Sequence, residues 1–250
     1  MKGKAASSYP ETDRSQVLLR RLVSVILWSA LFTLAYAQSP LYTSNQNQYF
    51  LHGLAKAGWG NLDQDWLVNT LDPTPVFSAL IYLTGKVLPW SPIFYLYYSL
   101  LAGIYIFSLY GLLSEVFHIK DSRAKRWFYL TVLFLIHSAA LRYLVVRVFN
   151  PNWAYLFDGG VAGQRLLGSV LQPSTFGVLL ILSIFLYLRG KNIWAVLCLV
   201  LAPTIHPTYL LSAGILTLVY MGMLASEKRN LRDPLILGGA ALLGVTPTLI

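Results

Sequence analysis

Asp63-Gln64-Asp65 sets two carboxylates one residue apart at the end of a polar stretch, SNQNQYFLHGLAKAGWGNLDQDW, residues 44–66. In an extended loop both can face one divalent cation, Mg or Mn, which takes hard oxygen ligands and bridges phosphate. Either carboxylate can also act as a base toward a hydroxyl. The plainer reading is that they cap and charge the first turn of a following helix. At the head of the stretch, Asn45 and Gln46 offer hydrogen bonds but no base at neutral pH. His52 adds an imidazole that can donate and accept hydrogen bonds. Farther on, Arg142 and Arg147 are suited to bidentate contacts with phosphate oxygens. Their alternative is to snorkel toward headgroups. Asp158-Gly159-Gly160-Val161-Ala162-Gly163-Gln164-Arg165 is either a plain turn or a loop whose amides and Arg165 approach an anion. His206, before Pro207, either binds phosphate and relays a proton or simply marks a helix break with its ring satisfied.

The elements that must position these groups are apolar. Of the 250 residues, 56% are hydrophobic and 12% charged, about half the charged share of a soluble domain. Apolar runs near the ~20 residues that cross a bilayer recur along the chain. The expected fold is therefore all-α: a polytopic membrane helical bundle in contact with the lipid bilayer. Spans are expected at about 18–37, 95–117, 127–148, 175–188, 193–205, 209–224 and 235–250, after a cytoplasmic tail at 1–17. The last run is cut at Ile250, which reads as the N-terminal part of a longer protein. The single Cys198 excludes a disulfide within the chain.

The net charge of +9 raises the question of nucleic acid, and its distribution answers it. With the N-terminus in the cytoplasm, the basic groups Lys2, Lys4, Arg14, Arg20 and Arg21 fall on one side. So do Lys120, Arg123, Lys125 and Arg126, then Arg189 and Lys191, then Lys228, Arg229 and Arg232. That is the positive-inside pattern of a cell-membrane protein, not a nucleic-acid face. Ala35-Tyr36-Ala37 has the form of a signal-peptidase site; cleaved or not, residue 38 onward starts outside.

Residues 38–94 then form an outer loop. Gln48, His52 and Lys56 recur every four residues opposite Phe50, Leu51, Leu54 and Ala55, which predicts an amphipathic helix. Ser44 or Asn45 would cap it, and Gly58 and Gly60 would stop it. It is too short to span and should lie at the interface. A second short helix is expected over 63–71, and a proline-led interfacial or re-entrant helix over 76–88.

One span, helices lying against the outer surface, then another span: over roughly residues 18–117 this order resembles the glycosyltransferase C superfamily. These are integral membrane enzymes that move sugars from polyprenyl-phosphate donors. The resemblance implies an acidic residue opening the first outer helix, yet Asn45-Gln46-Asn47-Gln48 stands there. The implied base then passes to Asp63 or Asp65, or the chemistry differs, or the chain is not an enzyme. The donor and acceptor would be held by Asn45, Gln46, His52, Arg142, Arg147, Arg165 and His206. A non-catalytic or transport-type membrane protein is the alternative. A transporter should show broken helices in two related halves; one break, at His206-Pro207, and no internal repeat are visible.

Overall fold

The computed structural model describes residues 14–37, 39–149 and 165–249. The tail up to residue 13 and the loop around Asp158 lie outside the described residues, which are all-helical with no strand. The helices are α1 (Arg14–Tyr36), α2 (Gln46–Lys56), α3 (Pro75–Val87), α4 (Ile93–Phe117), α5 (Arg123–His137), α6 (Ala139–Val148), α7 (Val178–Leu188), α8 (Asn192–Ile205), α9 (Leu210–Lys228) and α10 (Arg232–Leu249).

Among the described residues, three helices are long and apolar enough to cross a membrane: Ser15–Tyr36, Ile93–Phe117 and Pro207–Lys228. A fourth crossing arises if α5 and α6 count as one span, although they meet at 53°. The run expected as one span over 127–148 is thus broken, and Ser138 explains it. Its backbone is extended (φ −66°, ψ 142°), and its hydroxyl accepts from the Leu141 amide, so it ends one helix and caps the next. Likewise 175–188 opens as a tight turn, Pro173–Gly177, before α7 begins. The break expected at His206 is present: its backbone is extended, and a short turn, Pro207–Tyr209, leads into α9.

Small residues set the helix crossings, as expected where bilayer lipid offers no hydrophobic drive between helices. A methyl at Gly103 of α4 would lie 2.2 Å from Ser29 Oγ of α1. One at Gly111 would lie 2.4 Å from the Phe185 ring of α7. Around the first crossing, Phe32 packs on Tyr36, Tyr105, Phe134 and His137. His137, buried on α5, bonds Tyr105 Oη of α4 through Nε2 at 2.8 Å, a polar link between neighbouring helices. The second half is knitted by Tyr187 stacked on Tyr220 at 4.0 Å, with Ser183 bonding both Tyr220 Oη and the Ala195 carbonyl.

The bundle has two unlike ends. At one, Glu115 at the foot of α4 pairs with Arg189 after α7 at 2.9 Å, and Lys120, Arg123, Lys125 and Arg126 follow at once. At the other, α2 and α3 form a lid. Phe50 packs on Phe94 at the head of α4, and Phe77 on Phe176. Tyr49 lies against His206 at the end of α8. Gly53 lets α2 and α3 touch, since a methyl there would lie 2.6 Å from the Ser78 carbonyl.

Two expectations for this lid are corrected. No α-helix forms over 63–71. Two short turns, Leu62–Gln64 and Trp66–Asn69, stand there instead, because Asp65 is extended between them and its side chain caps the second. Nor does Ser44 or Asn45 cap α2 with its side chain. Gln46 takes the Tyr42 amide on Oε1 at 2.6 Å instead. Gly58 and Gly60 do end α2 in left-handed backbone, which costs glycine nothing.

Candidate functional site

Tyrosines shape the site. Residues 165–174, ahead of α7, lie at the lid end, and side chains from four elements hold their carbonyls. Tyr36 Oη donates to Leu167 O, Tyr98 Oη to Gly168 O at 2.7 Å, Gln46 Nε2 to Leu171 O at 3.0 Å, and Tyr209 Oη to Ser174 O at 2.5 Å. Each tyrosine lies within two turns of a helix end, where an apolar ring sits in the bundle and its hydroxyl reaches the loop. Nothing local in the sequence marks these tyrosines, since each partner lies far along the chain.

The clamped segment, the start of α2 and His206 enclose a polar cavity of about 310 Å³. Asn45, Tyr49, Arg165, Gln172, Ser174 and His206 line it. Among the described residues, Arg165 is its charged member and no carboxylate faces it. His206 is 6% exposed. Its Nδ1 accepts from the Thr208 amide at 3.4 Å and also meets the Thr208 hydroxyl. An amide can only donate, so the neutral ring carries its proton on Nε2. His206 lies just before the candidate span Pro207–Lys228. Burial pushes its pKa below the usual 6.5, against a smaller upward pull from its hydrogen bond. That shift favours the neutral ring, and a bound anion would pull the other way. A cation, amide and hydroxyl donors, and no negative charge suit an anion, and phosphate above all.

Of the other candidates, Gln46 lies 1% exposed and is spent as the brace just described. His52, expected on a polar face of α2, is 4% exposed instead, because the loop 70–74 folds over it. It lines a second cavity of about 100 Å³ with Tyr49, Asp72 and Thr74. Tyr49 is thus the wall shared by the two cavities.

Asp63 and Asp65 are exposed and line neither of these two cavities. Asp65 Oδ1 accepts from the Leu67 amide at 2.9 Å, the capping role. Among the described residues no three His, Cys, Asp or Glu side chains gather to hold a metal. The DxD pair therefore offers Mg or Mn no closed coordination set. Arg142 donates from Nη1 to the His137 carbonyl at 3.0 Å and from Nη2 to the Tyr36 carbonyl, and it lies 4.4 Å from the Tyr36 ring centre. It clamps α6 to the end of α1. Arg147 is exposed, 5.8 Å from the Tyr143 ring centre.

Comparison with protein-family models, curated proteins and solved structures returns no match for this chain.

Proposed function

We propose that this multi-pass membrane protein holds the phosphate of a polyprenyl-phosphate-linked sugar on the extracytoplasmic side of the cell membrane and transfers the sugar from it. The N-terminus is cytoplasmic in this reading. One observation carries it: the cavity that joins Asn45, Arg165 and His206 with no carboxylate among the described residues that line it. Its place supports the reading too. It opens at the lid end, while Lys120, Arg123, Lys125 and Arg126 crowd the opposite end, as the positive-inside rule requires of a cytoplasmic face. The order of long helix, lid helices and long helix is the arrangement on which the resemblance to glycosyltransferase C enzymes rests.

A second reading is a non-catalytic or transport-type protein that binds the same phosphate. It is favoured by the exposure of Asp63 and Asp65, which line neither the phosphate cavity nor the smaller one beside it.

The test uses the full chain in lipid nanodiscs with radiolabelled undecaprenyl-phosphate-glucose and -mannose. Binding is expected, weakened about tenfold by Arg165→Gln and by His206→Asn, since the first removes a fixed cation beside the anion and the second a ring that can become one. No binding of either donor overturns the proposal. Binding without any sugar transfer favours the second reading.

A further inference from the structure

The end of the bundle away from the lid carries charge that the fold leaves unmatched. Lys120, Arg123, Lys125 and Arg126 are exposed in one short run. The ion pairs between described residues lie elsewhere, Glu115 with Arg189 and Lys228 with Asp233. Asp121, in the midst of the run, is exposed and pairs with none of the four. Three of these cations fall in the first turn of α5, which holds no acidic residue and takes no cap from the Ser122 side chain. Positive charge there opposes the helix dipole. Lys125 Nζ donates to the Phe117 carbonyl at 3.5 Å, and Lys120 Nζ stands 5.8 Å from the Tyr110 ring centre. Neither contact neutralises a charge, so the run is fitted to an anion from outside the chain.

The neighbouring side chains narrow the class of anion. Trp127 is 52% exposed and Phe128 73%. Ala124, Phe128, Thr131 and Leu135 are all exposed, at steps of four, three and four residues, and so form one stripe along α5. Tyr129, Leu133 and His137, the residues that α5 buries, lie on the opposite side. The cations thus stand at the end of a mostly apolar stripe that faces away from the bundle. In a bilayer such a stripe meets acyl chains, and the aromatic rings at its end sit at headgroup level. A nucleic acid or an acidic peptide would match the charge alone. A phospholipid with net negative charge matches charge and stripe together.

We infer that the run Lys120–Arg126 is a docking surface for an anionic phospholipid, with its headgroup held by the cations and an acyl chain laid along the α5 stripe. Arginine forks suit the phosphate oxygens. The phosphate cavity lies at the opposite end of the bundle, so this inference stands or falls apart from the sugar transfer proposed above.

The experiment uses the full chain in phosphatidylcholine nanodiscs doped with acyl-brominated phosphatidylglycerol or acyl-brominated phosphatidylcholine. Bromine quenches tryptophan, and the difference between the parent and Trp127→Phe isolates the signal of Trp127. The parent is expected to recruit phosphatidylglycerol to Trp127 roughly fivefold over phosphatidylcholine, the contribution of one well-placed cation near an anionic headgroup. Replacing Arg123, Lys125 and Arg126 together by Gln is expected to bring that ratio close to one. Replacing Lys228, Arg229 and Arg232 together by Gln removes as many cations and is expected to leave it unchanged. In phosphatidylcholine alone the α5 triple variant should melt no lower than the parent, because it relieves the helix dipole; adding phosphatidylglycerol should raise the midpoint of the parent and not of the variant.

Equal quenching by the two lipids in the parent overturns the site. An equal loss in both triple variants also overturns it, since the preference would then follow net charge and not this surface. If the parent shows no lipid preference but binds polyglutamate, and the α5 triple variant does not, the surface belongs to an acidic protein segment and the lipid assignment is overturned. Should the triple variant fail to fold, Arg123→Gln decides, one turn ahead of Trp127: an unchanged ratio overturns the site.

Discussion

Gln46 accepts from the Tyr42 amide and donates to the Leu171 carbonyl from a buried position. Gln46→Leu leaves both backbone groups without that partner, at about 1–3 kcal/mol each. The expected outcome is a thermal midpoint several degrees lower in nanodiscs, together with weaker anion binding as the 165–174 segment loosens. Arg142→Lys tests another brace. Lysine cannot serve two carbonyls and an aromatic face with one planar group, so a loss of about 1–2 kcal/mol is expected by the same melt. His206 makes the cavity pH-sensitive. Its pKa in the empty site lies below 6.5, and a bound anion raises it. Sulfate, whose charge is constant over this range, should therefore bind more tightly as pH falls below neutrality, levelling off below the empty-site pKa. Without sulfate the sign reverses. The unfolded ring takes its proton first, so stability falls as pH drops through 6.5. His206→Asn should flatten both curves, measured by calorimetric titration and by melting. Asn45, Arg165 and His206 were legible as polar groups in an apolar chain, and the fold brings them to one cavity. Their company with Gln172 and Ser174, and the bracing role of Gln46, were not legible. Leu171 lies 125 residues from Gln46, and no local pattern encodes such a pair.

At the scale of elements, α2 and α3 act as one body because Gly53 admits the Ser78 carbonyl. Gly53→Ala forces a carbon to 2.6 Å from that oxygen and 2.7 Å from Ile81 Cβ, so it should cost about 1–3 kcal/mol and widen both cavities. Gly214→Ala in α9 meets nothing within 4 Å and should be neutral or stabilise by up to about 1 kcal/mol. The pair, melted side by side, separates close packing from helix propensity. Long apolar helices were legible from their length, and α3 from its leading proline. The split of the short helix expected over 63–71 into two tight turns, and the bend at Ser138, were not. In both, a short side chain satisfies a backbone amide and stabilises extended backbone, Asp65 for Leu67 and Ser138 for Leu141. Periodicity does not register that competition.

For the whole molecule, the charges give an expectation about sidedness, through the positive-inside rule rather than through contacts. The prediction concerns sidedness. In a Cys198→Ala background, an impermeant thiol reagent added outside intact cells should label Asp63→Cys. It should reach Lys120→Cys only after permeabilisation. The reverse pattern would part the basic end from the cytoplasm and remove the basis for an extracytoplasmic phosphate site. The kink at Ser138 carries one more consequence. Beyond it α6 contributes no buried residue, yet Arg142 fastens it to Tyr36, the residue that also grips the Leu167 carbonyl. Anything that displaces α6 sideways must therefore act through that one tyrosine on the segment lining the polar cavity.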